Sequence, residues 1–177
     1  MNRVLSQRIA EGDGIAVIVR VGDATAARAA EEQGAKAIAI DRPIAGIREA
    51  TALPLLWIGG GEPVDADAHT IRPDDEPWHG DVEHVVAVRD EDELERALEE
   101  LDPEIFLLSA RDGDDDGDPL DAVLELLPDV PAGKLAIAHV DVASREEVLA
   151  LERAGIDAVL VSEGDVGELV GEQPPEV

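Results

Sequence analysis

The 177-residue sequence has no cysteine and no tyrosine, one phenylalanine and two tryptophans. Without cysteine there is no disulfide framework, no thiol nucleophile and no thiolate metal site. Aromatics make up 2% of the chain while hydrophobic residues make up 45%, so the core has to be built from Ala, Val, Leu and Ile. Those residues suit closely packed buried strands and helices rather than aromatic-rich sandwiches. Positive charge is scarce too. Lys and Arg total 14 against 42 Asp and Glu, a formal net charge of -28, and only Lys36 and Lys134 are lysines. A surface of that sign repels nucleic acid and anionic membranes, whose phosphates need neutralising cations. Neither is expected as a partner, and an anionic metabolite is repelled unless a local basic pocket collects it. No apolar run resembles a signal peptide or is long enough to span a bilayer. The expectation is a cytoplasmic protein, monomeric or weakly homodimeric, with a small molecule as its one candidate ligand and no cofactor.

What is present repeats. "DATAARAAEEQGAKAIAID" (Asp23 to Asp41) and "SREEVLALERAGIDAVLVSE" (Ser144 to Glu163) each open on a capping residue and continue as an amphipathic helix. Each helix stops at a glycine, Gly34 or Gly155, suited to the left-handed cap. A short apolar run follows. A third copy, "DEDELERALEELDPEIFLLSA", uses Asp102–Pro103 as its stop. Helix, brief turn and buried strand in succession is the pattern of parallel α/β folds. Apolar runs without alternation mark strands covered on both faces.

Eight strands are expected: 15–21, 37–41, 53–58, 69–72, 85–89, 105–109, 135–139 and 158–161. Helices are expected after the first, second, fifth, sixth, seventh and eighth. The third is followed by "GGGEPVDAD" and the fourth by "PDDEPWHGD", both too rich in Gly and Pro for more than a turn. The fold expected is a compact (βα)8 barrel, a single domain over 1–177, with shortened or missing helices after strands 3 and 4. Such barrels usually take about 200 to 250 residues, and an open doubly wound sheet is the alternative. Trp57 and Trp78 are expected to cover the side that the missing helices leave bare.

The stretches "VVAVRDEDELERAL", "IFLLSARD" and "KLAIAHVDVASREEVLALERAGIDAVLVSEG", with "IAVIVR" and "LPLLWIGG" more weakly, resemble indole-3-glycerol-phosphate synthase. That family is a phosphate-binding (βα)8 barrel of tryptophan biosynthesis that closes an indole ring through condensation, decarboxylation and dehydration. The resemblance implies lysines and glutamates at the strand ends, and here the matching positions differ. The Glu and Lys of the family's first strand fall on Val17 and Val19, the Lys of its third strand on Ile58 and the Glu of its fifth on Ala87. The Asn of its sixth falls on Ser109, and the Glu-Ser-Gly of its seventh on His139, Val140 and Asp141. Arg20, Arg111 and Asp112 match the family. An aliphatic side chain transfers no proton, so the family's reaction is not expected. The alternatives are a synthase-type carbon–carbon lyase or an enzyme rebuilt around His139.

The candidate catalytic residues are His139, Asp141 and Ser109. By the parity of the resemblance they sit at the barrel mouth, where Arg72 and Asp41 also belong. A His, a carboxylate and a hydroxyl suffice for acid–base chemistry, and the bland reading is a mouth plugged by polar remnants. The carboxylates are expected to favour protonated His139, and His139 to be held by a neighbouring carboxylate or water. The resemblance implies a phosphate site at strands seven and eight, where Ser162, Glu163, Gly164 and Arg111 are the candidate ligand-binding residues. Asp141, Glu163 and Asp165 would repel a phosphate there. Asp112, Asp114 and Asp116 alternate like the start of a calcium loop, but the twelfth position is Val123, not the bidentate Glu such loops need. The triple glycine at 59–61 lacks the Lys and Ser/Thr of a phosphate loop.

Overall fold

A computed structural model describes residues 3–11, 14–76, 82–110, 117–142, 144–162 and 166–170. Eight parallel strands close into one barrel in sequence order. They are β1 (Ala16–Arg20), β2 (Ala37–Ile40), β3 (Leu55–Trp57), β4 (Ala68–Ile71), β5 (Glu83–Val88), β6 (Ile105–Leu108), β7 (Leu135–His139) and β8 (Ala158–Val161). Closure is made by β1 on β8, with Ala16 opposite Ala158 and Val19 opposite Val161. The helices are α1 (Val4–Ala10), α2 (Ala24–Glu32), α3 (Ile47–Ala50), α4 (Glu91–Glu100), α5 (Pro119–Leu126), α6 (Arg145–Ala154) and α7 (Val166–Val170).

The apolar strand runs reflect two layers of packing. One face of each strand meets the helices, in a layer that includes Val17, Val19, Ile38, Ile40, Val86 and Phe106. The other fills the barrel with Ala16, Ile18, Ala37, Ala39, Leu56, Ala68, Val85 and Leu107. Because neither face meets water, a strand gains by being apolar throughout. The alanines and the short strands let a small barrel close around few side chains.

The helix boundaries follow from capping. Asp23, Asp90, Asp118 and Ser144 each accept a backbone N–H of the first turn, at 2.7 Å from Ala26, 2.8 Å from Glu93, 3.0 Å from Leu120 and 3.3 Å from Glu147. These bonds satisfy donors that have no partner inside the helix. Gly155 ends α6 at φ 110°. Asp102 takes the same left-handed region at φ 43° after α4, and its N–H donates to Ala97 at 2.9 Å.

Two features differ from the sequence expectation, and the connections after β3 and β4, bare of helix among the described residues, agree with it. The helix expected after the second strand is a single turn, Ile47–Ala50, because Pro43 and Gly46 use up most of the connection. Between β3 and β4 no helix forms, and none appears in the described part of 72–82. Trp57 covers the barrel here at 3% exposure, while Trp78 lies outside the described residues. The second difference is α1, which the sequence reading does not include. It closes the N-terminal end of the barrel by placing Leu5 and Ile9 against the interior layer, as their spacing of four residues allows. Its N-cap, Arg3, makes no side-chain capping bond. The buried carboxylate of Glu83 does that work, accepting the N–H groups of Leu5 at 2.6 Å and Ser6 at 3.2 Å.

Candidate functional site

A cavity of about 810 Å³ opens where the strands end at their C-terminal sides, the end at which barrels of this architecture carry their sites. Strands β1 to β7 contribute through their inward parity. β1 supplies Arg20, the residue after β2 is Asp41, and the end of β3 brings Ile58, Gly59 and Gly60. β4 supplies Thr70, β5 Ala87, β6 Leu107 and β7 His139, and the residues just past the ends of β4, β5 and β6 add Arg72, Arg89 and Ser109. Thus Ser109, Arg72, Asp41 and His139 line one mouth, as their strand positions indicate. Asp141 stands outside the lining, exposed at the rim.

Parity corrects one sequence assignment. Val17 and Val19 pack outward against the helices, so they cannot stand in for mouth residues. The inward positions of β1 are Ala16 and Ile18, followed by Arg20 in the cavity wall. The cause is the strand's period of two: a one-residue shift in matching exchanges the two faces. Ile58 and Ala87 do pack against the interior layer, and the mouth holds no lysine among its described residues.

The arginines are differently engaged. Arg20 forms an ion pair and hydrogen bond with Asp41, and that hydrogen bond holds the Asp41 carboxyl below its ordinary range against a smaller burial effect. Arg89 is clasped by Glu93 at 2.8 Å, and its backbone N–H donates to the same carboxylate at 2.7 Å. Burial pushes the Glu93 carboxyl up, but the side-chain and backbone hydrogen bonds and charge of Arg89 together hold it low. Arg72 is exposed and makes no side-chain ion pair or hydrogen bond with the described residues; its backbone N–H donates to Asp75 at 2.9 Å.

His139 reverses its expectation. Loss of hydration pushes the imidazole below its ordinary range; Asp141 pulls the other way but does not win, and Arg20 adds to the lowering. The ring is exposed at the rim by surface area, yet enough protein surrounds it to strip part of its hydration. From an ordinary value near 6.5, that direction favours the uncharged ring at neutral pH. Nor is it held by a carboxylate, since it has no hydrogen bond to any described residue. The carboxylate of Asp141 is turned instead to β8, accepting the Ser162 N–H at 3.0 Å and lying 3.5 Å from its hydroxyl. It thereby occupies the Ser162 amide, on the flank where the resemblance implies a phosphate site.

Arg111, Asp112, Asp114, Asp116, Glu163, Gly164 and Asp165 lie outside the described residues. Among the described residues no group of three or more His, Asp or Glu side chains is placed to hold a metal ion. Sequence reasoning overlooked Thr70. Thr70 lines the cavity, and its buried hydroxyl has no hydrogen-bond partner among the described residues. The available signal was its parity with Arg72, two residues on along the same strand.

No known protein-family profile matches the chain. Over 79 residues, 45% of this chain and 29% of the relative, it is 39% identical to indole-3-glycerol phosphate synthase of Variovorax paradoxus. Over 80 residues, 45% of this chain and 31% of the relative, it is 36% identical to the enzyme of the same name from Pelodictyon phaeoclathratiforme. The chain is similar in sequence to indole-3-glycerol phosphate synthases. The similarity spans less than a third of the length of those curated relatives. Among solved structures, (S)-3-O-geranylgeranylglyceryl phosphate synthase from Thermoplasma acidophilum, in complex with its substrate sn-glycerol-1-phosphate, matches with a TM-score of 0.65 at 14% identity, covering 96% of both chains. N-acetylmannosamine-6-phosphate 2-epimerase from Clostridium perfringens matches with a TM-score of 0.62 at 15% identity, covering 86% of this chain and 88% of that one. At such identities the likeness establishes the barrel fold and nothing about the chemistry.

Proposed function

We propose that this barrel, related by resemblance to indole-3-glycerol phosphate synthase, binds a small molecule at its mouth without closing an indole ring. One observation carries the reading: the inward strand positions Ile18, Ile58 and Ala87 are apolar and pack against the barrel interior. These groups can neither give nor take a proton, and ring closure needs proton transfers at several centres. What the mouth offers instead is recognition, through guanidinium, hydroxyl and imidazole groups around a cavity large enough for a metabolite. An assay of the synthase substrate that follows indole product tests this. No turnover above the uncatalysed rate is expected, and measurable turnover would restore the synthase-type lyase of tryptophan biosynthesis.

A second reading has its own support. Burial favours the uncharged ring of His139 at neutral pH; the ring is unbonded among the described residues, and it lines the same cavity as Ser109. A free imidazole of that kind is able to act as a base in an enzyme rebuilt around it. Turnover of any carbonyl or hydroxy substrate that disappears in His139→Ala would favour this reading.

A further inference from the structure

Thr70 on β4 and Arg72 just past its end line the mouth, and the side chains of both lack a partner among the described residues. The Thr70 hydroxyl is buried and has no hydrogen-bond partner among the described residues. Two residues on, the Arg72 guanidinium has no hydrogen bond or ion pair to the described residues. Positions i and i+2 of a strand share a face and stand about 6.6 Å apart. Buried polar atoms are nearly always satisfied, so an orphaned hydroxyl in a cavity wall marks a place where a bound group completes the bonding. The flank at strands seven and eight is different, because Asp141 already takes the Ser162 amide.

We propose that the mouth takes a small carboxylate bearing a hydroxyl or carbonyl oxygen, with its carboxylate on Arg72 and its second oxygen on Thr70 Oγ1. The proposal rests on reading the mouth as a binding site, and it names the ligand class. Charge selects the carboxylate over a phosphate. The cavity lining carries Arg20, Arg72 and Arg89 together with Asp41 and Asp75, and Glu93 clasps Arg89 from outside the lining. The described wall is therefore balanced, with Asp141 adding negative charge at the rim. A monoanion can be accommodated on one unengaged guanidinium, whose planar fork matches a carboxylate. A phosphate dianion would leave surplus negative charge in a protein already at -28. Below the wall Ile58, Ala87 and Leu107 are apolar, so the ligand's remaining part should be a short hydrocarbon.

The test uses the full chain and amide chemical shifts, titrated separately with lactate, propionate and inorganic phosphate. Saturable millimolar binding of lactate is expected, with the shifts centred on residues 70–72. Arg72→Gln should weaken it roughly tenfold, the scale of losing a charged hydrogen bond. In Thr70→Val, a near-isosteric change, lactate should bind no better than propionate, which lacks the hydroxyl. Phosphate binding tighter than lactate, shifts centred on Asp141 and Ser162, or wild-type affinity in Arg72→Gln would overturn the proposal. Absence of any saturable shift with lactate would do the same. Indole formation in the separate synthase assay overturns the parent reading whatever the titration gives. A flat titration without indole formation overturns this proposal alone.

Discussion

Glu83, at the start of β5, accepts the backbone N–H of Leu5 at 2.6 Å across 78 residues of sequence. A carboxylate at the bottom of the barrel thus serves as the cap of α1, whose own N-cap residue, Arg3, makes no side-chain capping bond. The positive end of the helix dipole favours the charge there. With Glu83 only 4% exposed, the pair is shielded from competing water.

Removing that cap should release the plug. Glu83→Ala leaves the Leu5 and Ser6 N–H groups without acceptors, and a loss of about 1–3 kcal/mol is expected, the scale of an unsatisfied buried donor. Urea melts of Glu83→Ala and Glu83→Gln compare the two effects. Gln keeps an acceptor but not the charge, so it should lie between wild type and Ala. Equal midpoints for wild type and Ala would show that α1 holds by apolar contact alone.

Gly59 is the glycine with no room. A Cβ built there overlaps the carbonyl oxygen of Asp41, so the ends of β2 and β3 approach at main-chain contact. Gly59→Ala should destabilise by about 1–3 kcal/mol, as overpacking does. It should also displace Asp41 and loosen its pairing with Arg20. Gly60→Ala, where a Cβ meets nothing within 4 Å, is the control and should melt within error of wild type.

Asp67 ties three parts of the chain. Its carboxylate accepts the Leu55 N–H at 2.9 Å and the Arg48 guanidinium at 3.0 Å, linking β3, the loop before β4 and the single-turn α3. Asp67→Ala should cost about 1–2 kcal/mol in thermal or urea unfolding. Arg48→Ala should cost less, since Arg48 is partly exposed and surface ion pairs contribute little.

Two histidines make stability depend on pH. Burial is the main cause that pushes both His69 and His139 below the ordinary value of 6.5. In the unfolded chain each takes up a proton near that value, whereas the folded protein resists it. The unfolded state therefore binds more protons once pH falls through about 6.5. Stability should then drop, levelling off below the folded-state values. Unfolding midpoints from neutral to mildly acidic pH should show this, with a smaller drop in His69→Gln. Proton NMR should place both ring titrations below 6.5. A ring titration of His139 above that value would mean that Asp141 governs it after all.

The sequence by itself determined the barrel. Strands buried on both faces must be apolar throughout, and helices need caps and stops. Those demands write β7, β8, Ser144 and Gly155 visibly into the chain. Tertiary structure alone decided which face each residue of a strand presents, because an unbroken apolar run such as Ala16–Val19 carries no alternation to read. Hence the resemblance sets Val17 and Val19 at the mouth, whereas Arg20 is the β1 residue that reaches it. Tertiary structure also decided the protonation of His139, which depends on surrounding protein that brings the ends of β1 and β7 together. The capping of α1 by Glu83 lay beyond the sequence for the same reason. Its two partners become neighbours only when the barrel closes, and no local pattern records a bond across 78 residues.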